Sequence, residues 1–192
     1  MRETTLKENK EVYDSIDQNF FLFSGLCNFE IFLLPNKSKV IEEINLNSFD
    51  GIILSGGGNI SQISKKKSKR DQLERDLMEF SVKTKKPILG ICRGMQVIQS
   101  FFGVKLERIK DHVNTRHNIN YLNSNIKVNS FHNYGSYKTT HCLKIQARSD
   151  DNIIESVKHK NLPIMGIMWH PERERMFKQL DINIFKSFFS CG

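Results

Sequence analysis

Four short apolar runs set the tightest limit on this fold: FEIFLL (29–34), GIIL (51–54), PILGI (87–91) and IMGIMW (164–169). None alternates polar with apolar residues, so each reads as a strand covered on both faces, as in a parallel sheet packed between helices. Helical patterns lie between and after them. In RDQLERDLMEFSVKTKK (70–86), Leu73, Leu77 and Phe80 share one face, and Pro87 ends the helix. In RGMQVIQSFFG (93–103), Met95, Ile98 and Phe102 do the same, and Gly103 suits the position just past the last turn. The tail MFKQLDINIFKSFF (176–189) places Phe177, Leu180, Ile184 and Phe188 on one stripe. Residues 104–150 are less regular, with NIKVNSF and CLKIQA as short antiparallel strands. Strand–helix–strand alternation predicts right-handed crossovers and an α/β three-layer sandwich with a mostly parallel central sheet. Folds of this kind begin on a buried strand. This chain opens on polar residues, so that strand is expected to be missing or displaced.

With 192 residues, one domain over 1–192 with a full core is expected. No apolar run approaches the roughly 20 residues that cross a bilayer. The opening MRETTLKENKEV has no signal-peptide segment, which points to the cytoplasm and to no membrane partner. Cys27, Cys92, Cys142 and Cys191 form no CxxC pair, so neither a zinc site nor a disulfide framework is indicated. Neither a cofactor nor a metal is expected. The formal net charge is +8, densest in KKKSKR, Lys65 to Arg70. That run reads as a solvated loop. No RNA-binding aromatic motif or helix-turn-helix accompanies it, so nucleic acid is not the expected partner.

One cysteine demands its own explanation. GICRG (90–94) has the form G-x-C-x-G where a strand run meets a helical pattern, the cysteine version of a nucleophile elbow. Gly90 and Gly94 remove bulk beside a strained turn, and the helix N-terminus favours the Cys92 thiolate. A cysteine nucleophile needs a base, and the base needs orienting. WHPE (169–172) supplies His170 and Glu172, which point the same way in extended chain, with Pro171 biasing His170 toward that geometry. LSGGGN (54–59) also follows an apolar run, so its glycines should turn backbone N–H groups toward the same sheet edge. It is not a phosphate loop of the G-K-[ST] kind, and an oxyanion-stabilising role fits a chain with a nucleophile. His132, in NSFHNY, is expected to line the site. His112, His117, His141 and His159 show no metal-ligand spacing and read as structural or surface residues.

A Gly-rich turn, then G-x-C-x-G, then H-P-E resembles the class I glutamine amidotransferase superfamily, with its flavodoxin-like fold. GIILSGGG, RDQLERDL, PILGICRGMQ, VNSFH and GIMWHPE resemble its γ-glutamyl hydrolase-like branch, from about residue 29 onward. The resemblance implies a triad of Cys92, His170 and Glu172. It implies an oxyanion hole from the N–H groups of Gly57 and Arg93. It implies that Gln96, Asn129, Ser130, Phe131 and His132 hold the glutamyl group. NSFHN, DNIIESVKHK and GIMWHPERE are similar to members that cleave γ-glutamyl-CDP-amidate in making capsule phosphoramidate, which implies a nucleotide-linked γ-glutamyl substrate. The readings left open are hydrolysis of a γ-glutamyl polyamine or γ-glutamyl-γ-aminobutyrate, a glutaminase subunit feeding ammonia to a synthase partner, and a non-catalytic basic binding protein.

Overall fold

A computed structural model describes residues 1–5, 11–37 and 39–190. In chain order, β1 (Arg2–Thr5) and β2 (Val12–Ser15) pair as a hairpin, followed by α1 (Asn19–Leu26) and the single turn α2 (Val40–Glu43). Next, β3 (Ile52–Leu54) leads through the short α3 (Ser61–Ser64) to α4 (Lys69–Thr84), and β4 (Ile88–Ile91) runs directly into α5 (Arg93–Phe101). Then β5 (Glu107–Arg108), β6 (Val113–Tyr121), β7 (Ser124–Phe131), β8 (Tyr134–Gly135), β9 (Leu143–Ser149), β10 (Ile154–His159) and β11 (Ile164–Ile167) precede α6 (Gln179–Ser190).

Among the described residues, one seven-stranded sheet has the order β3-β4-β11-β10-β9-β6-β7. Its strands β4 and β11 are covered on both faces, while β6 and β7 at the far edge expose many side chains. Leu89, Ile91, Met165 and Ile167 pack toward α1 and α6, while Ile88, Ile164, Ile52 and Leu54 pack toward α4 and α5. This is the three-layer sandwich anticipated from the non-alternating runs. The sheet is mixed, however, and only β3, β4 and β11 run parallel. The other four strands join antiparallel, because short connections link β6 to β7 and β9 through β10 to β11. The β6–β7 turn has two residues, Leu122 (φ 48°) and Asn123 (φ 68°), the left-handed pair that a tight hairpin requires.

Several expectations need correction. FEIFLL forms no strand. Phe29 and Ile31 pack into one apolar cluster and Leu34 into the other, without laddering onto β3. The stripe predicted for α6 is also displaced. Leu180 is exposed, and Ile182, Ile184, Phe185 and Phe188 face the core beside a buried Asp181, which accepts from Trp169 Nε1 at 2.8 Å. Burial raises the Asp181 carboxyl to about 6. No described strand before β3 joins the sheet; β1 and β2 stand apart as their hairpin. NIKVNSF and CLKIQA do form antiparallel strands, β7 and β9. No described helix is long and apolar enough to cross a membrane. Cys191 lies outside the described residues.

Candidate active site

Cys92 sits between the end of β4 and the start of α5 with φ 49° and ψ −99°. That left-handed backbone is costly for a residue with a Cβ and persists only where the surroundings enforce it. Both neighbouring glycines do so by letting the chain close up. A Cβ on Gly90 would lie 2.3 Å from the Gly94 carbonyl carbon, and one on Gly94 would lie 2.1 Å from the Leu54 oxygen. The Cys92 N–H donates to the Ile167 carbonyl at 2.7 Å, which pins the elbow to the central strand β11. The residue is 7% exposed.

β11 delivers the partner. His170 follows it, and its Nδ1 donates to Glu172 Oε1 at 2.6 Å. A 3-10 turn over Pro171–Arg173 brings the carboxylate back to the ring. Nδ1 is thus occupied, which leaves Nε2 as the nitrogen free to serve the neighbouring Cys92. Burial lowers the His170 pKa, but the Cys92 thiol and the Glu172 carboxylate outweigh it and raise it to about 9. Asn129 holds the main chain of His170 from both sides. It donates through Nδ2 to the His170 oxygen and accepts at Oδ1 from the His170 N–H, each at 2.8 Å. Phe131 meets the imidazole edge-to-face, 5.6 Å between centroids.

The Gly-rich turn after β3 lies against this pair, since a Cβ on Gly56 would come within 2.5 Å of His170 Cε1. Its orientation comes from Arg70. That guanidinium donates to the carbonyls of Ser55 (2.5 Å), Gly56 (3.2 Å) and Gly57 (2.9 Å). The oxygens of the turn are thus drawn to one side, and Gly57 takes φ 93°. Arg93 opens α5, so its own N–H belongs to the unpaired first turn of a helix.

Sequence reasoning missed Arg70 and the network behind it. Glu74 accepts from Arg70 Nε at 2.7 Å and from Arg93 Nη2 at 2.8 Å, and Arg93 Nη2 also reaches Asp71 at 2.8 Å. Arg70, Glu74 and Arg93 are all buried. Burial pushes the Arg70 pKa down despite Glu74. The Arg93 pKa is raised because Glu74 and Asp71 outweigh its burial. The signal was present: Arg70 and Glu74 are four apart on the same helix face as Leu73 and Leu77. KKKSKR therefore divides. Lys65, Lys66, Lys67 and Lys69 are exposed as expected, Ser68 caps α4, and Arg70 turns inward.

The predicted glutamyl contacts take different places. Gln96 lies buried one turn along α5 from Cys92 and donates to the Tyr134 oxygen at 3.0 Å. Ser130 is turned away, donating to the His112 oxygen at 2.7 Å. Both ring nitrogens of His132 face protein groups, Nδ1 toward the Tyr134 oxygen and Nε2 toward Glu155. His112 and His117, unremarkable by spacing, converge with His132 on that buried carboxylate. Burial would raise the Glu155 pKa, but the three imidazoles hold it well below the usual carboxylate range.

Asn129 and Phe131, which both contact His170, also line a cleft of about 750 Å³ together with Arg116, Arg173, Arg175 and Lys178; His170 itself does not line it. Arg173 lies over the Phe131 ring at 4.8 Å, while Glu174 engages Arg116 through two hydrogen bonds of 2.8 and 2.9 Å.

Residues 9–189 match the model of the family "Glutamine amidotransferase class-I". The chain is similar to the gamma-glutamyl-CDP-amidate hydrolase of Campylobacter jejuni, 38% identical over 141 residues, covering 72% of this chain and 69% of that protein. It is also similar to a glutamine-hydrolyzing GMP synthase subunit of Pyrococcus furiosus, 32% identical over 149 residues, with 73% and 74% covered. Among solved structures, a Thermoplasma acidophilum protein assigned to the same kind of GMP synthase subunit superposes with a TM-score of 0.65 at 26% identity, covering 82% of this chain and 78% of that one.

Proposed function

Because the chain belongs to the class-I glutamine amidotransferase family, we propose that it hydrolyses a γ-glutamyl amide through a Cys92 thioester. The observation that carries this reading is the elbow itself. A cysteine held at φ 49° neighbours an imidazole whose pKa it helps to raise and whose Nδ1 rests on Glu172. We take residues 1–192 as one hydrolase unit acting in the cytoplasm, where a catalytic thiol stays reduced.

The Cys92 thiolate attacks the γ-carbonyl carbon, forming a C–S bond and an oxyanion that accepts from the Gly57 and Arg93 N–H groups. Each such donor is worth about 3 kcal/mol in comparable sites. As the intermediate collapses, the C–N bond breaks and the leaving nitrogen takes the proton from His170 Nε2. Water then adds to the thioester, giving a proton to His170, and the second collapse expels the Cys92 thiolate and releases glutamate. Glu172 holds the ring and offsets the imidazolium charge throughout. Gln96 and Phe131 border the glutamyl group. Asn129 and Ser130 act as positioning residues, because their polar ends are already engaged within the protein, and His132 does so with Nδ1 held by the Tyr134 oxygen and Nε2 turned toward Glu155.

For the leaving group, we favour a nucleotide diphosphate, as in γ-glutamyl-CDP-amidate. Two things support it: the 38% identity to a hydrolase of that name, and the arginine-lined cleft that shares Asn129 and Phe131 with the surroundings of His170. The second reading is a glutaminase subunit delivering ammonia to a synthase partner, favoured by the similarity to the GMP synthase subunit of Pyrococcus furiosus. One panel separates them. Purified protein is given glutamine, γ-glutamyl amines or γ-glutamyl-CDP-amidate, and released glutamate is measured, with Cys92→Ala as control. Preferred turnover of the nucleotide amide supports the first reading. Glutamine turnover that rises only with a partner supports the second, and undiminished activity in Cys92→Ala defeats both.

A further inference from the structure

Behind the glutamyl pocket, three imidazole nitrogens surround a single carboxylate oxygen. Glu155 Oε1 lies 3.3 Å from His112 Nδ1, 3.6 Å from His117 Nε2 and 3.4 Å from His132 Nε2. The Glu155 side chain is fully buried, and His112 and His132 nearly so. None of these contacts has hydrogen-bond geometry. Both Glu155 oxygens, both His117 nitrogens, His112 Nδ1 and His132 Nε2 are buried without a hydrogen-bond partner. Buried polar atoms are seldom left in that state, and a carboxylate least of all.

The outer partners explain what is wanting. His112 Nε2 faces Asp151 Oδ2 at 3.0 Å, and His132 Nδ1 faces the Tyr134 oxygen at 3.1 Å. Each of those nitrogens must carry its proton to donate. In neutral rings the opposite nitrogens, His112 Nδ1 and His132 Nε2, then present lone pairs to a carboxylate that also offers lone pairs. A positive charge among them reconciles the lone pairs, carried either by a metal ion or by a second proton on a ring. The ligand atoms of His112, His117 and Glu155 lie within 4.8 Å of one another. Neighbouring ligand atoms on a tetrahedral zinc ion, with bonds of about 2.0–2.1 Å, stand about 3.3 Å apart. The Glu155 contacts of 3.3 and 3.6 Å match that edge better than they match a hydrogen bond. Asp151 behind His112 completes the carboxylate–histidine–metal arrangement usual at such centres.

We propose that His112, His117 and Glu155 bind a divalent transition-metal ion, zinc foremost, with His132 supporting Glu155 from its other side. Two imidazoles and one carboxylate suit this class of ion rather than calcium or magnesium, which prefer oxygen ligands throughout. His117 is 17% exposed and provides the way in. The ion fastens the entry to β6 onto β10. The His112 oxygen accepts from Ser130 Oγ and from the His132 N–H, so the ion also steadies the segment that brackets His170. Its role is structural and independent of which amide is cleaved.

The test uses the full chain carrying Cys92→Ser, since a thiol beside an imidazole is itself a metal ligand. Chelator-treated protein is incubated with zinc chloride, passed through gel filtration and analysed for bound zinc. One zinc per chain is expected, with retention reduced roughly tenfold or more by adding His117→Gln. A rise in Tm with zinc should vanish in the same variant. Cobalt in place of zinc should give visible ligand-field absorption without a thiolate charge-transfer band. Equal retention in both proteins, or no retention in either, means surface binding or protons alone and overturns the proposal. If His117→Gln fails to fold, absence of the cobalt bands in the Cys92→Ser protein overturns it on its own.

Discussion

Asn129 uses both ends of its amide on the backbone of His170, at 2.8 Å each. A side chain thereby does what a neighbouring strand would do, just beyond the point where β11 ends. Asn129→Ala leaves a buried N–H and a buried C=O unpaired, at about 1–3 kcal/mol. We expect Tm to fall and kcat to drop roughly tenfold or more, because misplacing the imidazole harms the transition state more than substrate binding. Steady-state kinetics beside thermal unfolding checks both; a change in KM alone would contradict the positioning role.

Arg70→Met should damage two things together. It releases the carbonyls of Ser55, Gly56 and Gly57, and it takes one of two cations from Glu74. A loss of about 3 kcal/mol in stability is expected for breaking a buried pair, with kcat lower by about 10²-fold if the proposed oxyanion donors lose their aim. Arg70→Lys should rescue little, since one ammonium cannot reproduce a planar fork that reaches Glu74 and three carbonyls. Urea unfolding and glutamate release measure the two effects separately.

Stability should decline as the solution is made alkaline. The His170 pKa is about 9 in the folded protein, against about 6.5 in the unfolded chain. A raised folded value gives stabilisation that is complete below pH 6.5 and lost as pH climbs through 9. The full swing is on the order of 3 kcal/mol. Denaturant unfolding at pH 6 and pH 9.5 should reveal it in the wild type. In Glu172→Gln the swing should shrink, because one of the groups raising the imidazole is gone.

Arg175→Ala, in the cleft that Phe131 lines, should raise KM for a γ-glutamyl nucleotide about tenfold, equivalent to about 1.4 kcal/mol. Glutamine, which has no such leaving group, should be turned over as before. Added salt should weaken the nucleotide substrate's binding to the wild type and affect the variant less. An equal loss on both substrates would remove the cleft from the leaving-group reading.

Local chemistry was legible in the sequence wherever a spacing forces a geometry. Gly90, Cys92 and Gly94 implied a cramped strand-to-helix turn, and the close approaches to Gly94 and Leu54 are what make it cramped. The layers followed from apolar runs that do not alternate. Strand direction did not, because Ile154–His159 reads alike whether it runs parallel or antiparallel to β11; direction is decided by the short connections. The cluster around Glu155 was invisible for a related reason. His112, His117, His132 and Glu155 are spread over more than forty positions, and only the folding of β6, β7 and β10 brings them together. FEIFLL misled because apolar composition implies burial, whereas Phe29, Ile31 and Leu34 are only partly buried and Phe32 is exposed.

Glu74 accepts from Arg70, which aims the Gly57 turn, and from Arg93, whose backbone begins the helix after Cys92. The two proposed oxyanion donors, far apart in the chain, thus answer to one carboxylate. Substitutions on the two sides should therefore not add: once Glu74 has been removed, changing Arg70 should cost much less than it does in the intact protein, and the shortfall is the energy by which one half of the hole knows the position of the other.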